Sequence, residues 1–255
     1  MKFIDSHTHL YLDDFKDDIG DVIDRAVSAG VEKFYLPAID STETQRLLDL
    51  ERKFPGKCYA MMGLHPYSVK DNYKEELKTV KEWLGKRNFA AIGEIGLDFY
   101  WDKTFTQQQY ESFEQQIEWA LEYNLPIVIH TRNAMAETIE VVKKYSAKGI
   151  KGIFHCFSGS HQDAMDIVSM GFYLGIGGVL TYKNSGLAEV IKQVDLNSIV
   201  LETDSPYLTP VPYRGKRNES SYIKIIAEKL AQIKNISVEE VALITTANAE
   251  GIFNS

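Results

Sequence analysis

Eight short apolar segments recur along this 255-residue chain, separated by longer amphipathic stretches. The segments comprise residues 3–5, 33–37, 58–63, 89–94, 126–130, 152–156, 172–177 and 198–203. Continuous apolar runs of this length are typical of strands that are buried on both faces in a parallel sheet. Eight such strands alternating with helices predict an α/β fold, a (β/α)8 barrel of the TIM type. A doubly wound open sheet is the alternative, but the Gly-rich loop that usually follows its first strand is missing.

The stretches between these segments have helical periodicity. Residues 107–124 place five apolar side chains on one helical face: Tyr110, Phe113, Ile117, Ala120 and Leu121. Residues 133–145 and 236–253 have a similar pattern, and packing against a core explains all three. Because no linker, repeat or change in composition divides the chain, residues 1–255 are predicted to form a single domain.

Composition and charge exclude several classes of function. No apolar run approaches the roughly 20 residues that cross a bilayer, and no apolar stretch of signal-peptide length begins the chain. Two cysteines, Cys58 and Cys156, are too few for a disulfide framework. We therefore expect a cytoplasmic protein without membrane contact or an obligate protein partner. The net charge of −8 argues against a broad basic surface that coats nucleic acid, although a local basic patch is allowed.

Ionisable side chains collect where the predicted strands end, which in such barrels is where the chemistry takes place. Five of the six histidines occupy these ends: His7, His9, His65, His130 and His155. Alternation along a strand also places Glu94 with Asp98 on one face, and Glu202 with Asp204 on another. The sequence therefore predicts a metal site at the carboxyl ends of the strands.

The first segment, "KFIDSHTHL", and the sixth, "GIFHC", illustrate this use of alternation. In the first, Phe3, Asp5, His7 and His9 are predicted to share one face. In the sixth, an inward His155 sends its neighbour Cys156 outward, where it would be a small buried hydrophobe. Cys58 begins a strand, at the opposite end of the barrel. A site of imidazoles and carboxylates without thiolate suits Zn²⁺, Mn²⁺, Fe²⁺ or Mg²⁺.

Six side chains are candidate ligands: His7, His9, Glu94, His130, His155 and Asp204. They exceed the three protein ligands of one open catalytic zinc site, so two ions that share a carboxylate explain them better. We expect Glu94 to bridge two divalent ions, Mg²⁺, Mn²⁺ or Zn²⁺. Asp204 is expected to bind the ion held by His7 and His9 and to accept the proton of the attacking water.

Seven motifs, in order along nearly the whole chain, resemble the TatD family of metal-dependent deoxyribonucleases, within the amidohydrolase-like barrels. They are DSHTHL (5–10), GLHP (63–66), GEIGLDFY (93–100), PIVIHTR (126–132), HCFSG (155–159), LETDSPYL (201–208) and RGKRNE (214–219). The resemblance implies a barrel that binds two divalent ions and cuts phosphodiester bonds in DNA, often from a 3′ end. It implies ligand roles for the same six residues and a substrate or phosphate contact for His65.

The remaining polar and aromatic side chains have one or two interpretations each. Glu202 either binds the free nitrogen of a metal-bound histidine or forms an ion pair inside the barrel. Asp98 is a possible cap for the loop that follows it. The aromatic residues 99–103 either pack on the helices or stack on nucleobases. Arg132 is a candidate phosphate contact, as is a basic cluster after the last strand, Arg214, Lys216 and Arg217.

Three functions are compatible with these features. The first is a two-metal hydrolase of DNA, a 3′-5′ exonuclease that prefers single-stranded or frayed ends. The second is a metal-dependent hydrolase of an amide, lactone or aminoacyl ester on the same barrel, and the third is a non-catalytic metal-binding scaffold. Many amide-cutting relatives have a lysine as the bridge, so Glu94 and the arginines favour the nuclease.

Overall fold

Strands and helices alternate through residues 1–253, the part of the chain that the computed structural model describes. The strands are β1 (Phe3–Asp5), β2 (Val31–Leu36), β3 (Cys58–Ala60), β4 (Ile92–Asp98), β5 (Ile127–Arg132), β6 (Gly152–Phe154), β7 (Tyr173–Ile176) and β8 (Ile199–Leu201). Between them lie α1 (Ile19–Ser28), α2 (Thr44–Lys53), α3 (Tyr73–Lys86), α4 (Thr106–Tyr123), α5 (Met135–Ser146), α6 (His161–Ser169) and α7 (Leu187–Gln193). Two helices, α8 (Ile223–Lys234) and α9 (Val238–Phe253), follow β8.

All strand pairs are parallel, and they form two sheets, β1-β2-β3 and β4-β5-β6-β7-β8. Backbone contacts join the sheets at both seams. Between β3 and β4, Met62 bridges to Ile92 and the Ala90 amide donates to the Ala60 carbonyl at 2.9 Å. Between β8 and β1, the Ser6 amide donates to the Leu201 carbonyl at 3.1 Å. The strands thus follow one another around a TIM-type barrel, as the sequence predicts.

The barrel interior is filled by apolar side chains from around the ring and from α9. The members of this interior cluster are Ile4, Tyr35, Met61, Ala91, Val128, Ile153, Val200, Ala249, Ile252 and Phe253. Helix α9 packs at the amino ends of the strands, where Thr246 donates to the Lys2 carbonyl and Asn248 to the Ile199 carbonyl. Because α9 closes that end, the opposite end, where the carboxyl ends of the strands meet, is left for chemistry.

The outer apolar layer lies between the strands and the helices. On α4, Phe113, Ile117 and Ala120 are buried in this layer, as their helical spacing predicts, while Tyr110 and Leu121 pack partly buried against it. No helix within residues 1–253 combines the length and the apolar character needed to cross a membrane.

One prediction about the first strand is wrong. Phe3 belongs to the outer layer and Ile4 to the interior, so Phe3 and the inward-facing His7 do not share a face. The strand ends at Asp5. Beyond it, the backbone amides donate to carbonyls of several different segments, so the regular pairing of β1 does not continue. Thr8 donates to the Tyr35 carbonyl, for example. Strict alternation therefore does not extend beyond β1.

Candidate metal centre

The structure brings together the six predicted ligands at the carboxyl ends of the strands, around a cavity of about 750 Å³. Glu94 lies in β4 and His130 in β5, whereas the others follow directly after strands β1, β6 and β8. Five of the six line the cavity: His9, Glu94, His130, His155 and Asp204. His7 is fully buried beside them.

A first group of ligand atoms surrounds one oxygen of the Glu94 carboxylate. Glu94 Oε2 lies 3.1 Å from His7 Nε2 and 3.6 Å from His9 Nε2. Asp204 Oδ1 lies 3.6 Å from each of the same two nitrogens. The segment after β1 thus places two imidazoles, and the segment after β8 a carboxylate, within reach of one cation.

A second group surrounds the other oxygen of the same carboxylate. Glu94 Oε1 lies 2.8 Å from His130 Nδ1, 3.0 Å from His155 Nε2 and 3.3 Å from His65 Nε2. The two oxygens of Glu94 therefore face different sets of nitrogen atoms.

A β-bulge turns Glu94 into the cavity. Gly93 pairs with Val128 and Ile95 with Ile129, so Glu94 is an extra residue on β4 without a partner on β5. Gly93 itself lies against the filled interior, where an added Cβ would be only 2.8 Å from Val128 Cβ. Glycine at this position lets the bulge form without displacing the barrel core.

Two imidazoles have one nitrogen held by a hydrogen-bond partner outside the two groups. His9 Nδ1 lies 3.1 Å from the Tyr11 hydroxyl, which itself donates to the Pro37 carbonyl at 2.6 Å. His130 Nε2 lies 2.9 Å from Asp98 Oδ2. These acceptors assign the proton to His9 Nδ1 and to His130 Nε2. With a cation bound, the other nitrogen of each ring would offer its lone pair to the site, as metal-binding histidines require.

Glu202 lies close to a third imidazole, that of His155. Its Oε1 lies 3.3 Å from His155 Nδ1 and accepts from the Cys156 amide at 2.6 Å. The carboxylate is fully buried, and both contacts lie on the segment after β6. The 3.3 Å separation is an ion-pair distance, and neither His155 Nδ1 nor Glu202 Oε2 has a hydrogen-bond partner among the described residues. Both interpretations of Glu202, support of a ligand histidine and an ion pair inside the barrel, therefore remain predictions.

His65 differs from His9 and His130 in that the nitrogen that carries its proton faces the cavity. The Tyr67 amide donates to its Nδ1 at 3.0 Å, so a neutral His65 carries its proton on Nε2. Burial lowers the pKa of His65, which favours this neutral form. Its Nε2 therefore presents a hydrogen-bond donor rather than a lone pair to the cavity. That orientation suits contact with an anionic oxygen better than ligation of a cation.

The electrostatics of the site fit a cation. Burial by itself raises the pKa of Glu94, but the surrounding imidazoles hold it well below its usual range, so the carboxylate is ionised. Burial, together with the neighbouring His155, lowers the pKa of His7 well below its usual value and leaves that imidazole neutral. Burial by itself lowers the pKa of His130 and His155, but the neighbouring carboxylates raise both, that of His155 well above its usual value. A bound cation would therefore take the place of protons on these two rings. Imidazoles around an ionised carboxylate are the donor set that divalent transition metals and zinc prefer.

The loop that carries Asp204 is tied to the first strand by buried hydrogen bonds. Asp5 accepts from the Thr203 amide at 2.9 Å and from the Thr203 hydroxyl at 2.6 Å. Asn218, fully buried, donates to the Thr203 carbonyl at 2.7 Å and to the Tyr207 carbonyl at 2.6 Å. The backbone is therefore held by hydrogen bonds on both sides of Asp204, at residues 203 and 207.

Replacement of Asn218 by alanine is expected to lower the free energy of unfolding by about 2–4 kcal/mol, since it leaves two buried carbonyls without donors. Urea denaturation of the variant beside the wild type measures this. The matched control is Asn197→Ala, an exposed asparagine, for which we expect a change within about 0.5 kcal/mol. An Asn218→Ala change as small as that of the control would show that other contacts hold the loop.

The prediction for Cys156 is wrong. The residue lies beyond the end of β6, has a φ of 48°, and lines the cavity instead of facing the helices. Alternation fails here because the chain has already left the strand, where Glu202 binds the Cys156 amide. Burial raises the pKa of the Cys156 thiol, which is therefore protonated and a poor metal ligand. Cys58 is buried at the start of β3, as predicted.

The candidate phosphate contacts fall into two classes. Arg217 donates to both carboxylate oxygens of Asp18, at 2.8 and 2.6 Å, and so is not retained as a phosphate contact. Arg132 and Arg214 are exposed and have no carboxylate within salt-bridge distance among residues 1–253. Their guanidinium groups lie over aromatic rings, Arg132 over Tyr100 and Arg214 over Tyr182.

Sequence reasoning assigned no role to Tyr11 or Asn218. Tyr11 was open to prediction, because it continues the two-residue spacing of His7 and His9. Asn218 lies within the RGKRNE motif, but nothing in that motif indicates that its side chain reaches back to residues 203 and 207. Asp98 accepts from the Tyr100 amide at 2.9 Å, as the predicted cap of the following loop would, and it also contacts His130.

Comparison with known proteins places this site in a family. The model of the family described as TatD related DNase matches residues 4–254. The chain is 40% identical over 250 residues to the metal-dependent hydrolase YabD of Bacillus subtilis, with 98% of each protein covered. It is 30% identical over 246 residues to the 3′-5′ ssDNA/RNA exonuclease TatD of Erwinia tasmaniensis, with 94% of this chain and 95% of that protein covered.

A solved structure agrees with these matches. The crystal structure of the TatD homologue YjjV from Escherichia coli has a TM-score of 0.93 and 29% sequence identity, and the match covers 99% of this chain and 98% of that one. Family, relatives and fold therefore coincide over nearly the whole length. The chain belongs to the TatD-related DNase family and is a metal-dependent hydrolase.

Proposed function

We propose that this protein is a two-metal phosphodiesterase that degrades single-stranded DNA from its 3′ end. The observation that carries the proposal is the placement of Glu94, whose two oxygens face two different sets of imidazole nitrogens. Two divalent ions held by these groups, Mg²⁺, Mn²⁺ or Zn²⁺, would supply the Lewis acidity that activates water and offsets the charge of a phosphate.

The protein side chains around these groups have separate proposed roles. Asp204 lines the cavity, so its carboxylate is placed both to bind a cation beside His7 and His9 and to accept a proton from the attacking water. His65 presents its Nε2–H to the same space and is proposed to donate to a phosphate oxygen. Glu202 orients His155.

The surroundings of the site favour a phosphodiester over an amide, lactone or aminoacyl ester. Arg132 lines the cavity and has no carboxylate partner among the described residues, which suits a phosphate. No lysine is among the described residues that line the cavity, so the bridging position belongs to Glu94. A relative named a 3′-5′ ssDNA/RNA exonuclease supports the same substrate class and polarity.

The charge and shape of the molecule favour a strand end over an intact duplex. The net charge of −8 disfavours the broad basic surface that would hold a long double helix. A cavity of about 750 Å³ accepts a frayed terminus, whereas an interior bond of a duplex would have to be unpaired first. Both cysteines are free thiols, in keeping with the cytoplasmic location that we propose.

The test uses metal-depleted protein re-supplied with Mg²⁺, Mn²⁺ or Zn²⁺ in turn, and 5′-labelled linear single-stranded DNA beside its circular form. We expect shortening of the linear strand from the 3′ end by the reconstituted enzyme, no cutting of the circle, and no activity without metal. Circular dichroism before and after chelation shows whether the barrel persists, as we expect, since its apolar core does not include the ligands. Equal rates on circle and line would contradict end-directed cutting.

A further inference from the structure

Exposed apolar side chains on this protein are concentrated around the mouth of the cavity. Of the eleven large hydrophobic side chains that are exposed among residues 1–253, seven lie in loops that follow β3, β4 and β8: Tyr67, Tyr100, Trp101, Tyr207, Leu208, Val211 and Tyr213. Single exposed apolar residues are normal on a protein surface, but a cluster rimmed by polar groups marks a binding site.

Trp101 is the most exposed aromatic side chain of this cluster, at 60% of its surface, and it lines the cavity together with Tyr67 and Arg132. Its ring centroid lies 6.4 Å from that of Tyr67, with the rings nearly perpendicular. The Arg132 guanidinium lies 5.1 Å from the Trp101 ring. An aromatic surface and a cation without a carboxylate partner therefore stand side by side at the metal centre.

The loop that carries Trp101 is held in place by buried and charged groups. Asp98, whose other oxygen contacts His130, accepts from the Trp101 amide at 3.3 Å. Gln109 donates to the Asp98 carbonyl at 3.0 Å, and Lys70 pairs with Asp102 at 2.9 Å. The ring is thus presented to solvent on a fixed loop, so that little conformational entropy is lost when a ligand binds.

Packing does not account for this aromatic group. The outer apolar layer includes Phe99, Phe105 and Tyr110 from the same region, whereas Trp101 leaves most of its ring in water. An exposed indole loses the stabilisation that burial would provide, and here a neighbouring guanidinium adds an affinity for anions. A planar apolar ring joined to an anion is the ligand that matches both groups.

We propose that Trp101 is a stacking platform for a nucleobase on one of the two nucleotides that flank the scissile phosphate, with Arg132 on the neighbouring phosphate. This inference rests on the proposed function and adds to it a sequence-independent selection for phosphodiesters that carry bases. Stacking suits any base, because every base has an aromatic face. The protein then prefers nucleic acid to other phosphodiesters through this loop, and not through its metal centre.

The kinetic test compares 5′-labelled single-stranded DNA with oligonucleotides in which the terminal or the penultimate 3′ nucleotide is abasic. We expect the wild-type metal-loaded enzyme to lose about tenfold or more in kcat/KM on at least one abasic substrate. In Trp101→Ala the ratio of kcat/KM on normal DNA to kcat/KM on abasic DNA should fall to near unity, because only the rate on the normal substrate drops. Trp101→Phe should keep most of the wild-type ratio, and Leu243→Ala, an exposed apolar residue on α9, should keep all of it.

A binding test separates this inference from the proposed function. A single-stranded oligonucleotide with 2-aminopurine at either position and phosphorothioate linkages at its 3′ end reports stacking by fluorescence quenching, whether or not it is cut. Quenching by the wild type that Trp101→Ala abolishes supports the platform even if DNA is not hydrolysed. Equal quenching by both proteins, or an equal loss of rate by Trp101→Ala on normal and abasic DNA, would overturn it.

Discussion

Glu94→Ala is expected to lose both metal ions and at least about a thousandfold in hydrolysis, because one carboxylate serves both groups of nitrogen atoms. Among residues 1–253, no other carboxylate lies at salt-bridge distance from nitrogen atoms of both groups: Asp204 lies 3.6 Å from His7 and His9, and Asp98 contacts the far nitrogen of His130. The imidazoles and Asp204 would then have to hold two cations, with no carboxylate between the two ions.

The amide variant sharpens this test. Glu94→Gln keeps the size of the side chain but offers one carbonyl oxygen and one N–H₂ group, which cannot bind a cation. We therefore expect at most one ion per chain in Glu94→Gln, none in Glu94→Ala and two in the wild type, measured by elemental analysis of reconstituted protein. Glu189→Ala, on an exposed face of α7, is the control and should bind two. Two ions in Glu94→Ala would show that Glu94 is not the bridge.

Asp204→Asn is expected to keep at least one ion and to lose about 10²–10⁴-fold in kcat, the usual contribution of a proton acceptor. The substitution is conservative for the backbone, because Asp204 has a φ of 55° and asparagine is among the few residues that adopt this region readily. The amide oxygen remains available as a ligand beside His7 and His9, whereas the ability to accept a proton is lost.

The measurement for Asp204→Asn is single-turnover hydrolysis of single-stranded DNA, accompanied by metal content and a thermal melt. Asp166→Asn, an exposed residue of α6, is the matched control and should have the kinetics of the wild type. A variant with full metal content, an unchanged melting temperature and near-wild-type turnover would place the proton acceptor elsewhere.

Much of this site followed from local pattern. The eight apolar segments predicted the parallel strands, and the histidines and carboxylates at their ends predicted the members of the cluster. The inference works because the carboxyl ends of parallel strands meet at one end of a barrel, whatever the details of packing. The side chains of Glu94, His130 and the residues that follow the other strands therefore had to lie near one another.

The sequence pattern did not predict the direction of each side chain. Glu94 faces the cavity because of a bulge beside Gly93, and Cys156 faces it because the chain leaves β6 at Phe154. Neither departure has a local signal, since both depend on contacts with other strands: the close approach of Val128 and the hydrogen bond that the Cys156 amide donates to Glu202.

The sequence by itself therefore determined the fold class and which side chains meet in the candidate metal centre, because both follow from residue type and strand order. Only the tertiary structure decided the partners of each group. It determines which nitrogen of His65 and of His130 carries the proton in the neutral ring, and it pairs Arg217 with Asp18. The physical reason is the range of the interactions. Periodicity is a property of neighbours along the chain, whereas protonation, orientation and ion pairing are set by partners that are distant in sequence.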